Sequence, residues 1–340
     1  MDDTSPLSSS IDIVTVPNMG CQACTPMRHS RQPWHKSVSG SYHSDPDDDH
    51  GRRAHAPVVP RSLPRATTDR IPQELIERII DCLAWHSSSL YHCALVCRAW
   101  YHHSQTLLYS CVEIGSRAGY HTIADLVNKS PRTKQYLKYT RLLSITTARE
   151  DWSRSQAQRN YFPALPLVLG SALPNLQCLG FYDSLYPPYH SSFISLLPTF
   201  SGVIHLTLYR FEVCSFMDLR HIVCSFPKLR VLELMNGNVT STRSAANITT
   251  ARGKEIKSRR IGKLTLRDLE SPLLSQLANW LLVTNACAGV TELALTCENA
   301  GDNRLSVEMV LRALGPSLAD LVCSVSHFRR GVCASHLSGA

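Results

Sequence analysis

Between residues 71 and 109 the apolar positions recur at helical spacing. Leu75, Ile76, Ile79, Ile80 and Leu83 fall at i, i+1, i+4, i+5 and i+8, while Glu74, Glu77, Arg78 and Asp81 take the other face. That is the signature of an amphipathic helix. Pro72 suits its first position, where the missing N–H would be unsatisfied anyway, and Glu74 complements the positive end of the helix dipole. Ser87, Ser88 and Ser89 offer cap oxygens to the next segment. Leu90, Cys93, Ala94 and Cys97, and separately Val96 and Trp100, then repeat at helical spacing, which predicts a second, bent helical segment.

Further along, short apolar segments recur in which a hydrophobic residue is followed three positions later by leucine and two further on by another apolar residue. The copies are Leu176-Leu179-Phe181, Val203-Leu206-Leu208, Leu229-Leu232-Leu234, Ile261-Leu264-Leu266, Val290-Leu293-Leu295 and Leu318-Leu321-Cys323, with a weaker one at Tyr139-Leu142-Ser144. The central leucines are spaced 26 to 37 residues apart. Between them, 193–197, 216–226, 272–285 and 305–314 read as helices. An alternating strand with one buried face, followed by a helix laid behind it, is the unit of a leucine-rich repeat, and stacked units share a core that none has alone. Pro174 and Pro227 end the preceding helix just before two of the strands. The pattern fits less well before residue 173, where 149–160 is a polar interruption.

Two resemblances rest on these residues. The helical stretch resembles the F-box domain, through Ile71-Pro72 with Glu74-Leu75, the Ile79 and Leu83 positions, Leu95-Val96-Cys97-Arg98 with Trp100, and Leu107-Leu108-Tyr109 leading into Val112 and Ile114. Ile71 replaces the leucine more usual at the opening of that family and keeps its apolar character. The later part resembles the irregular leucine-rich repeats that follow F-boxes in many fungal F-box proteins. The F-box resemblance implies a three-helix module that docks on the Skp adaptor of a cullin-RING ubiquitin ligase, with Pro72, Leu75, Ile79, Leu95, Val96 and Trp100 buried against the adaptor. A unit of about 40 residues buries little surface by itself, which agrees with a need for a partner.

The expected fold is therefore α/β: a disordered tail over 1–70, a three-helix F-box over 71–115, and an irregular leucine-rich-repeat solenoid over 116–340 that holds a protein substrate. The tail is rich in Ser, Pro, Asp and His and poor in periodic apolar residues, so burial cannot offset its ordering entropy. A polar basic insert spans 236–260 and carries Arg252, Lys254, Lys257, Arg259 and Arg260. The last residues, 327–340, supply neither a helix nor a cap, and the C-terminus reads as truncated or as capped by an unrecognised element.

Composition narrows the function further. The chain has 340 residues, 44% of them hydrophobic, enough for a sizeable core. Its formal charge of +8 lies wholly beyond residue 70. The basic insert reads first as a solvated loop; a nucleic-acid site would want interleaved aromatics or a reading module, and the insert has neither. Thirteen cysteines without paired spacing or a secretory signal suggest reduced thiols in the cytosol or nucleus. No apolar run approaches a membrane span.

The chain carries no G-x-S-x-G, H-E-x-x-H, P-loop or G-x-G-x-x-G motif. Cys21 and Cys24 have metal-ligand spacing but lack a second ligand pair, and His92, His102 and His103 read as scattered surface histidines. Cys93 and Cys97 read as small packing residues on one helical face. The expectation is a non-catalytic receptor subunit without cofactor or metal. Its rival is a leucine-rich-repeat scaffold with no ubiquitin-ligase role, the helices merely capping the array.

Overall fold

The computed structural model describes residues 70–146, 164–189, 191–240, 261–284, 289–297 and 300–325. Expectations for residues 1–69, including Cys21 and Cys24, for the polar stretch 149–160, for the basic cluster of 252–260 and for 327–340 lie outside them. The described residues belong to two units, 70–79 in one and 80 onward in the other.

The first unit holds the start of helix α1 (Gln73–Asp81). Pro72 stands one place before the helix rather than inside it. Its carbonyl accepts from the N–H of Leu75 at 3.0 Å and of Ile76 at 3.3 Å, while Glu74 occupies the first turn.

The last two residues of α1, the fully buried Ile80 and Asp81, belong to the second unit. Helices α2 (Ser87–Val96) and α3 (Arg98–Leu108) come next. Cys97, extended at φ −161° and ψ 170°, separates them, so the predicted bend is a complete break and the segment is two helices. Two local expectations fail. The α2 N-cap is His86 with no side-chain cap, so the serines are not used for capping, and Cys97 is exposed while Cys93 is buried.

From Cys111 onward the unit is α/β. Eight parallel strands, β1 (Cys111–Ile114), β2 (Leu142–Thr146), β3 (Cys178–Tyr182), β4 (His205–Val213), β5 (Val231–Val239), β6 (Lys263–Arg267), β7 (Glu292–Cys297) and β8 (Asp320–Val325), pair in sequence order with no reversal. Seven helices join them: α4 (Arg117–Lys129), α5 (Pro131–Leu137), α6 (Leu165–Leu169), α7 (Ser191–Leu196), α8 (Phe216–Cys224), α9 (Ser271–Thr284) and α10 (Ala300–Leu314). The described residues thus form ten helices and one sheet. Parallel strands need crossovers of a consistent hand, and an unreversed order sends each crossover to the same side.

Register turns the sequence period into geometry. Val112, Leu143, Leu179, Leu206, Leu232, Leu264, Leu293 and Leu321 lie side by side across all eight strands, and Ile114, Ile145, Phe181, Leu208, Leu234, Leu266, Leu295 and Cys323 form a second row two residues on. Up to β7 both rows are buried and join the inner faces of the helices, such as Leu219 and Ile222 of α8 and Leu277 and Trp280 of α9, in one continuous core. A fully buried leucine is worth about 1.5–3 kcal/mol, so these rows are a main source of stability.

Each strand is entered in the same way. One carbonyl accepts from two successive N–H groups of the next unit: Ser110 from Arg141 and Leu142, Arg141 from Gln177 and Cys178, Gln177 from Ile204 and His205, Ile204 from Arg230 and Val231, Arg230 from Gly262 and Lys263, Gly262 from Thr291 and Glu292, and Thr291 from Ala319 and Asp320. The repetition arises because backbone groups must be paired wherever they are buried.

Register also corrects the first copies of the pattern. Leu143 rather than Leu142 stands in the leucine row, so the second strand reads Thr140-Leu143-Ile145, a one-residue slip that exchanges the two faces. Tyr109-Val112-Ile114, expected within the helical domain, is the first strand unit instead. The insert begins later than 236, because β5 runs to Val239. Helices α4 and α5 were not expected. They start on Ser116, whose hydroxyl accepts from the Gly119 N–H at 3.0 Å, and on Ser130, which accepts from Thr133 at 3.2 Å.

Candidate functional site

The helices leave an apolar stripe in solvent. Leu95 is 65% exposed and Val96 62%, at the last turn of α2, and Trp100, one turn into α3, is partly buried. Their neighbours Leu90, Cys93 and Ala94 face inward. Leu95 and Val96, the last two residues of α2 before the break at Cys97, thus stand outside its inward face, where a helix packed wholly on its own domain would bury them. In the other unit, Pro72 is exposed and Leu75 and Ile79 are about half exposed. Trp85 and Tyr91 are also more than half exposed, and sequence reasoning missed both. Their signal was their position outside every helical stripe.

Of the three histidines, His103 has a side-chain partner at the surface. Its Nε2 lies 2.7 Å from Oδ1 of Asp81, tying α3 to the end of α1.

The strand positions between the leucine rows make a second surface, on the face of the sheet away from the helical core. At its centre the Thr207 hydroxyl donates to Oε2 of Glu233 at 3.1 Å, and His205 Nε2 stands 3.3 Å from both that carboxylate oxygen and the Thr207 hydroxyl. His205 and Thr207 are buried. Thr207 and Glu233 meet the same imidazole nitrogen, so Thr207 is not the nucleophile of a relay, in which nucleophile and orienting carboxylate occupy opposite ring nitrogens. Around the triangle, the Tyr182 and Tyr209 rings sit 6.3 Å apart, the Arg210 guanidinium lies 5.3 Å from the Tyr209 ring centre and 3.6 Å from Asp183, and Lys263 pairs with Glu292 at 3.2 Å. At the β1 end, burial raises the Glu113 carboxyl to about 7. The arrangement offers fixed hydrogen-bonding groups and aromatic rings. Sequence reasoning missed His205 and Glu233; writing HLTLY above VLELM in register would have paired their strands.

Among the described residues there is no group of three or more His, Cys, Asp or Glu side chains placed to hold a metal ion, and no helix long and apolar enough to cross a membrane. The eight cysteines described in full are free thiols. The chain matches no protein-family model and no curated protein.

Proposed function

We propose that this chain is the substrate-recognition subunit of a cullin-RING ubiquitin ligase of the SCF type. On this reading Pro72, Leu75, Ile79, Leu95, Val96 and Trp100 bind the Skp adaptor, and the strands form an irregular leucine-rich-repeat array whose open face holds a protein substrate. The subunit catalyses nothing. It raises the local concentration of the substrate's lysines at a conjugating enzyme carried by the same assembly, and works in the cytosol or nucleus.

The observation that carries the reading is the exposure of Leu95 and Val96, two large apolar residues at positions the F-box resemblance assigns to the adaptor. Helices serving only to cap the array would turn such residues inward. Trp100 is the best single anchor, because interface energy concentrates in aromatic side chains with pockets to fill. The test is retention of purified Skp adaptor by the full chain at one fixed salt concentration. Wild type should retain it and Trp100→Ala should not, with both proteins equally folded. No retention by folded wild type leaves the rival, a repeat scaffold without a ligase role.

A further inference from the structure

The chain passes from α3 into the sheet through Tyr109 and Ser110. At that point the Thr140 hydroxyl donates to the Tyr109 carbonyl at 2.7 Å, and the N–H groups of Arg141 and Leu142 donate to Ser110. One anchored helix end is a pivot: backbone torsions there leave the rest of the helix free to swing.

A second attachment lies eight residues earlier, about 12 Å up the helix at 1.5 Å per residue. Arg132 of α5 donates to the Tyr101 hydroxyl of α3. Its guanidinium carbon stands 5.8 Å from the Tyr101 ring centre and 5.9 Å from that of Tyr136. Tyr136 shares a hydrogen bond with Tyr101 and stacks on Tyr109, with ring centres 5.2 Å apart and planes 15° apart. One α5 side chain thus touches both attachment points. The hydrogen bond from Tyr101, with Arg132 behind it, holds the Tyr136 phenol below its ordinary range. A planar, permanently charged guanidinium suits a place between two phenol rings.

We infer that Tyr101, Arg132 and Tyr136 are positioning residues, a clasp that fixes helices α2 and α3 at one angle to the parallel sheet. Two attachments about 12 Å apart resist a rotation that one allows. The purpose of the clasp rests on the function proposed above: it keeps whatever docks on α2 and α3 at a constant distance from whatever the sheet holds. Its geometry stands without that function. Arg132 is exposed and outside the core, so removing it should loosen the joint without unfolding the protein.

The experiment is a spin-label distance measurement on the full chain, with labels on unnatural amino acids at Tyr91 of α2 and Arg267 of β6, both exposed. Wild type should give one narrow distance peak. Arg132→Ala should broaden it about twofold, as expected for a released hinge, while the unfolding midpoint moves by no more than about 3 °C. Arg132→Lys, which keeps the charge and hydrogen-bond donors but loses the planar guanidinium, should restore part of the narrow peak. An Arg132→Ala distribution that superimposes on wild type overturns the clasp. So does broadening that comes with a large loss of thermal stability and is not rescued by lysine, which would make Arg132 a general structural residue. Adaptor retention by Arg132→Ala should equal that of wild type. If wild type itself binds no adaptor the ligase reading fails, and the distance measurement still judges the clasp.

Discussion

Gly202 lies under a backbone carbonyl. A Cβ built there would come within 2.7 Å of the Leu176 oxygen, which belongs to the previous unit and cannot move without shifting its strand. Gly202→Ala should therefore lower stability by about 1–3 kcal/mol, the usual cost of overpacking, measured by thermal unfolding. Glu113 gives a pH signature. Its carboxyl titrates near 7 when folded, because burial penalises the charged form, against an ordinary value of 4.5. Between these values the folded state holds the proton more tightly, so its contribution to stability is complete below the lower value and is lost as pH rises toward 7. Glu113→Gln should flatten that part of the stability profile, read from urea midpoints at several pH values; an unchanged slope would mean that the carboxyl is not desolvated. Neither residue stands out in the sequence. Gly202 is set by a carbonyl 26 residues away and Glu113 by its burial, and both constraints exist only once the chain is folded.

Elements were far more legible. The leucine spacing located β3 to β8 because each strand contributes two buried residues to rows crossing the whole sheet. The same spacing placed α7 to α10 within a few residues. Helices α4 and α5 escaped notice although Tyr120, Ile123, Ala124 and Val127 fall at i, i+3, i+4 and i+7 behind Ser116, because the polar residues between them masked the stripe. The slip at Leu142 arose from the run Arg141-Leu142-Leu143, where either leucine satisfies the pattern and only pairing decides. The rows predict a contrast. Leu232, fully buried in β5, should cost about 2–5 kcal/mol when changed to alanine. Leu321, in the same row but 46% exposed on the edge strand β8, should cost roughly 1 kcal/mol or less. Equal losses in chemical denaturation would contradict the stacked arrangement.

For the whole molecule, one part presents uncovered apolar side chains and another carries hydrogen-bonding groups and aromatic rings. The first was legible in sequence, because its residues recur at helical spacing beside recognisable dipeptides. The second was not, because His205, Thr207 and Glu233 come from two strands and meet only by lateral pairing. The central claim is that the apolar surface docks on the Skp adaptor. It is tested most directly by titrating the full chain into purified adaptor in a calorimeter at two temperatures, with Leu95→Asp as the control. Micromolar or tighter binding with a negative heat-capacity change, the mark of apolar burial, and its loss in the folded Leu95→Asp protein are the predicted results. The absence of binding by folded wild type, or equal binding by Leu95→Asp, would contradict the account.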